Sequence, residues 1–265
     1  MHLLIAAQSG WGKGYFTQSL AEENLPDYDT AIVMDYSDEY RGLVEAGLAD
    51  WWIGGPVERD WSASDWGAFL DENPRVVIAR HDSLSASGWQ DLAASIARHI
   101  RGREGSVLFI IDEAHFVIPQ GESFPTVLKE LATTGRGEQV SYVVISQRLS
   151  EVEKTVTTQM QSRLLGGFDG DDISRIADVT DGYPARLHNP QADLSPGSVP
   201  DELLPEPTPE DRPVSVQRHT DDAGHTVGSE WIFSDNSGTR SREDTRGIDL
   251  AAPHYSPEGA DLEIP

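Results

Sequence analysis

Lys13 is the only lysine in the first 128 residues, and it sits among small residues in Ala7-Gln8-Ser9-Gly10-Trp11-Gly12-Lys13-Gly14-Tyr15. A phosphate-binding loop has Gly, four free positions and then Gly-Lys-Ser/Thr between a strand and a helix, and Gly12 and Lys13 fall in that register. Such a loop works by turning backbone N–H groups inward above a helix N-terminus, with the ammonium reaching the terminal phosphates. Ser9, Gly10, Trp11, Gly12, Lys13, Gly14 and Tyr15 are therefore the candidate nucleotide contacts. Two positions depart from the pattern. Ala7 replaces the first glycine, which Gly10 and Gly12 can compensate in conformational freedom. Gly14 replaces the hydroxyl that would ligate magnesium, so slow turnover is expected, and Gly14→Ser is expected to lower the magnesium requirement.

The second candidate constellation is Asp112-Glu113, placed directly after the apolar run Val107-Leu108-Phe109-Ile110-Ile111. In metal-assisted nucleotide hydrolysis the first acid holds Mg2+, and the second orients and deprotonates the attacking water. Acids at a strand end also suit a following helix N-terminus, so the pair gains its meaning from Lys13 upstream. Gln147 ends a further apolar run, residues 141–145, where a polar group can sense the γ-phosphate. The chain order is loop lysine, acid pair, then polar strand end, which predicts an extra strand between the two halves of the nucleotide site.

The elements that must position these groups follow from hydrophobic pattern. Residues 2–7, 30–34, 75–79, 107–111 and 141–145 are strand-length apolar runs, and residues 15–21, 88–101 and 124–133 read as helices. Trp89, Leu92, Ile96 and Ile100 share one helical face. Alternation of strands and helices gives an α/β fold with a mostly parallel sheet flanked by helices, whose ligands sit at the C-terminal strand ends. The tryptophans at 51, 52, 61 and 66 are expected to pack against one another or a subunit rather than stack on bases. We expect a core over residues 1–188, a proline-rich acidic linker that packs little over 189–213, and an extended acidic tail over 214–265. In that tail, residues 214–217 and 230–233 are predicted to pair as a hairpin.

With 45 acidic against 20 basic residues the formal net charge is −25, and only three of the basic residues are lysines. Such a surface repels polyanions at ordinary salt, whereas at molar salt the Debye length is about 3 Å. The balance points to a salt-adapted proteome. No cysteine is present, which excludes disulfides and thiolate chemistry. No run approaches the ~20 apolar residues of a membrane span, and a cytoplasmic or virion-associated protein is expected.

Asp35-Tyr36-Ser37-Asp38-Glu39-Tyr40 resembles the Asp-Pro-x-Gly-Glu-Tyr signature of HerA-type ATPases. Asp112-Glu113-Ala114-His115 is similar to their acidic motif, Thr134-Gly135-Arg136-Gly137-Glu138 to their Gly-Arg segment, and Ile145-Ser146-Gln147-Arg148 to their sensor strand. The resemblance spans about residues 1 to 180. It implies a RecA-like HerA/FtsK P-loop core, without that family's N-terminal β-barrel, that binds ATP and Mg2+ and translocates double-stranded DNA as a homo-oligomeric, hexameric ring. Stripped-down cores of this kind resemble viral genome-packaging ATPases and the Zot-like morphogenesis ATPases of filamentous phages. Ring ATPases complete each site with a neighbour's arginine; Arg136 is the first candidate, followed by Arg148 and Arg163. Three readings stay open: a DNA packaging or transfer motor; an assembly ATPase that contacts protein, such as a capsid or membrane protein through the tail; and a weakly hydrolysing relative.

Overall fold

The computed structural model describes residues 1–265 apart from 171, 181, 207–211 and 256–265. In chain order the first elements are β1 (His2–Ala6), α1 (Lys13–Asn24), β2 (Thr30–Asp35), α2 (Arg41–Glu45), β3 (Asp50–Gly54), α3 (Pro56–Arg59), α4 (Ala63–Glu72), β4 (Arg75–Arg80) and α5 (Ala86–Ile100). There follow β5 (Val107–Ile111), α6 (Thr126–Thr134), β6 (Val140–Ser146), α7 (Lys154–Gln159), β7 (Ser162–Leu165), α8 (Asp172–Ile176), β8 (Arg218–Thr220), β9 (Thr226–Asp235) and β10 (Arg240–Asp244). Among the described residues ten strands form one sheet, ordered β10-β9-β7-β1-β6-β5-β2-β4-β3, with β8 paired to β9. From β3 to β7 every pairing is parallel. β6 lies between β1 and β5, the inserted strand that the order of motifs predicts.

The apolar runs are continuous because these strands are covered on both faces. Successive residues alternate between two cores: Leu4 and Ala6 pack with Phe109, Ile111 and the α5 stripe of Trp89, Leu92, Ile96 and Ile100, while Leu3 and Ile5 pack with Ala21, Leu25 and Val33. Trp52, Trp61, Trp66 and Phe69 form one aromatic cluster beside the edge strand β3, with edge-to-face or tilted rings.

The C-terminal part differs from its sequence reading. The hairpin forms around the turn after residue 220, pairing Arg218–Thr220 with the start of β9, while Gln217 and Glu230 meet only through single hydrogen bonds. β9 itself runs antiparallel to β7 and so extends the central sheet, with β10 outside it. The proline-rich stretch packs more than its composition suggests, since Val199 and Leu203 are buried against the core. Residues 248–255 lie along α1 and reach α2: Tyr15 donates to the Ile248 carbonyl at 2.7 Å, Gln18 to that of Ala252 at 3.2 Å, and Tyr255 donates to Glu45 of α2 at 2.7 Å. That cover explains why α1 buries Thr17 and Gln18 without an apolar stripe. The remaining tail, 256–265, lies outside the described residues.

Candidate nucleotide site

The loop between β1 and α1 turns through two left-handed glycines, Gly10 at φ +71° and Gly12 at φ +82°, the backbone freedom that this turn requires. Trp11 points inward and is 1% exposed. Its indole N–H donates to the Glu230 carbonyl at 3.1 Å, and its ring fills the space a side chain would need at Gly166 or Gly167. The side chain of Trp11 is therefore an anchor, and a nucleotide can use only its backbone. Ser229 donates its hydroxyl to the Trp11 carbonyl at 2.6 Å, and Thr226 to the Gly10 carbonyl at 3.0 Å. A trans peptide holds C=O and N–H on opposite sides, so these two anchors turn the Trp11 and Gly12 amides away from β9. β9 thus sets the shape of the loop, a role no local sequence signal announces.

Lys13 opens α1 and donates to the Gln8 carbonyl at 3.4 Å. Burial depresses the pKa of its ammonium, and the charges of Glu113, Asp112 and Glu39 oppose that shift. Asp112, 4% exposed at the end of β5, has its carboxyl pushed well up by burial, reinforced by Glu113, Glu39 and Asp35. Glu113 holds a left-handed backbone at φ +46°, unusual for a residue with a side chain, and its Oε2 lies 3.2 Å from His115 Nδ1. Strain of this kind concentrates at functional sites. Gln147 follows the last residue of β6 between the strands that deliver Lys13 and Asp112, and is half-buried.

Two further acids enter from β2. Asp35 is fully buried and accepts the backbone N–H groups of Glu39 and Tyr40, each at 3.0 Å, with Asp38 left-handed at φ +65° between them. Burial raises the Asp35 pKa to about 6 against the pull of those hydrogen bonds. The turn carries Glu39 back onto Gly14, where a side chain would overlap its carboxylate; burial and the Asp35 charge lift Glu39 to about 7. The space left by the missing hydroxyl at residue 14 is accordingly filled, and the expectation that Gly14→Ser simply adds a ligand loses its structural basis. Glu39 was legible in sequence only as part of a strand-end motif; its approach to the loop needs the turn that Asp35 builds.

The arginines divide. Arg136 is exposed at the N-terminal end of β6, where its charge bears on the Met1 amine and His2, at the sheet edge opposite Lys13. It cannot serve the site of its own chain. Arg148 is exposed and paired with Glu151 at 2.8 Å. Arg163 is buried in β7 and donates to Asn236 at 2.9 Å, so it is not presented to a neighbouring subunit.

No protein-family model matches the sequence, and no curated protein matches it. Solved structures do match. The genome packaging NTPase B204 from Sulfolobus turreted icosahedral virus 2, in complex with ATP-gammaS, superposes with a TM-score of 0.53 at 12% identity, over 91% of this chain and 95% of that one. VirB4 of Thermoanaerobacter pseudethanolicus gives a TM-score of 0.57 at 12% identity, over 91% of this chain and 88% of that one. The chain has a RecA-like P-loop fold. At this identity the likeness concerns the fold alone. Among the described residues no helix is long and apolar enough to cross a membrane.

Proposed function

We propose that this chain is an ATP hydrolase that moves duplex DNA, in genome packaging or DNA transfer, as a hexameric ring. The observation that carries the reading is the convergence of Lys13 from the end of β1, Gln147 from the end of β6 and Asp112-Glu113 from the end of β5 on one edge of the sheet. The fold shared with a genome packaging NTPase crystallised with an ATP analogue supports it. In this reading the loop amides and Lys13 bind the β and γ phosphates, Asp112 holds Mg2+, Glu113 accepts the proton of the attacking water and Gln147 reports the γ-phosphate. When bound, Mg2+ supplies positive charge to the phosphate oxygens. The donor set suits it, because Asp112 and its neighbours offer hard oxygen ligands.

Arg136 faces away from its own site, as an arginine acting in a neighbour's site must. In mixtures, Arg136→Ala and Glu113→Gln subunits should recover turnover that neither has alone; no recovery at any ratio would remove Arg136 from that role. The net charge of −25 favours a second reading, a nucleotide-dependent assembly ATPase that contacts protein. It also suits work in molar salt, where repulsion from DNA is screened. ATP turnover at high salt with and without duplex DNA separates the two. The motor reading expects stimulation by DNA, and turnover indifferent to DNA across a wide salt range would establish the assembly reading instead.

A further inference from the structure

In a phosphate loop the residue after the lysine donates a hydroxyl to the nucleotide's magnesium. Here that residue is Gly14, and the direction its side chain would take is blocked by Glu39, whose carboxylate stands against the Gly14 Cα with His254 as the other neighbour. The placement is built rather than incidental. Both Asp35 oxygens hold the backbone at Glu39 and Tyr40, Asp38 supplies the left-handed turn between, and Tyr40 is fully buried on the far side. β2, whose C-terminal end leads into the turn to Glu39, pairs directly with β5, which Asp112 follows.

The four acids at this edge are not equivalent. Asp35 spends its oxygens on the backbone, and Glu113 is turned toward His115. Glu113, Asp112 and Glu39 all bear on Lys13, and setting aside Glu113, whose carboxylate lies against His115, leaves Asp112 and Glu39. Mg2+ bound with nucleotide takes one or two carboxylates beside phosphate oxygens and water, which is the number these two supply.

We propose that Glu39 takes over the metal-ligand position of the missing loop hydroxyl, so that the nucleotide's divalent cation is held by Glu39 and Asp112 from neighbouring strands. The inference rests on the nucleotide-site reading above. It also gives Gly14 a reason: any side chain there would displace the carboxylate.

The test is Mn2+ binding, followed by electron paramagnetic resonance with a non-hydrolysable ATP analogue present, beside analogue binding measured in EDTA. Loss of even an outer-shell partner costs about 10- to 100-fold in metal affinity, so Glu39→Ala should weaken Mn2+ at least about tenfold while metal-free analogue binding persists. Glu39→Gln, which keeps the turn and the volume, should fall between the two and serves if the alanine variant does not fold. The decisive variant is Gly14→Ser in the Glu39→Ala background. A neutral hydroxyl restores a ligand without restoring charge, so recovery of most of the Mn2+ affinity supports coordination, and no recovery overturns it. Unchanged Mn2+ affinity in Glu39→Ala overturns it equally. If the unsubstituted protein binds no analogue with or without metal, the nucleotide-site reading itself fails.

Discussion

The two ends of the parallel strands are built on opposite electrostatic plans. At their N-terminal ends charges are matched: Arg101 pairs with Glu130 and Glu138, Arg103 bonds Thr30 at 2.8 Å and Asp71 at 2.9 Å, and Asp29 accepts the Ser106 N–H at 2.7 Å. At the C-terminal ends one half-buried lysine, Lys13, faces Glu39, Asp112 and Glu113, and burial plus mutual repulsion raise the pKa values of Asp112 and Glu39. A concentration of like charge held at one edge of the sheet is what the proposed nucleotide site needs in order to take up cations with phosphate.

The comparison breaks most visibly at Glu113. Glu113→Gln should leave nucleotide binding intact and reduce ATP turnover by about 10²- to 10⁴-fold, the range for losing a general base. The amide keeps the left-handed backbone as well as glutamate does, so a stability change is not expected; turnover at the parent rate would exclude Glu113 as the base.

At the opposite ends the expected effects are on stability. His2 is buried, accepts the Tyr142 N–H at its Nδ1, and is held neutral with a pKa of about 4, chiefly by burial and then by the adjacent amine. A group whose folded pKa lies below its unfolded value near 6.5 gives stability that is complete above that value and lost as pH falls toward 4. The contribution is at most about 3 kcal/mol. Denaturant midpoints from pH 8 to pH 4.5 should therefore fall less steeply in His2→Asn than in the parent, and equal slopes would contradict the assignment. Arg101→Ala should cost about 1 kcal/mol or less, because its carboxylate partners are part-exposed, and less still in molar salt. A thermal shift unaffected by salt would argue that Arg101 acts through packing.

This contrast also explains what was legible in the sequence. Strands β1, β2, β5 and β6 announce themselves as apolar runs because both faces are covered, and the polar residues at their ends then fall on one edge by topology alone. Lys13, Asp112, Glu113 and Gln147 were placed at that edge in this way. The edge strand β3 and the short internal strand β7 carry weaker patterns, and β9 joins β7 across about 70 residues of chain, a pairing that no local signal encodes. The burial of Val199 and Leu203 hides in a proline-rich composition, and the meeting of Glu39 with Gly14 depends on backbone hydrogen bonds that Asp35 accepts. Local pattern found the groups on the loop and strand ends; the groups brought there by turns and antiparallel additions needed the fold.

The central claim is that this edge of the sheet binds and hydrolyses ATP through Lys13, the side-chain cation that the phosphate loop offers. Phosphate release from ATP, measured at high salt for the parent and Lys13→Ala proteins side by side, tests it most directly. The account predicts turnover by the parent and release at the buffer background for Lys13→Ala, with the fold intact by circular dichroism. Equal turnover by the two proteins would contradict it.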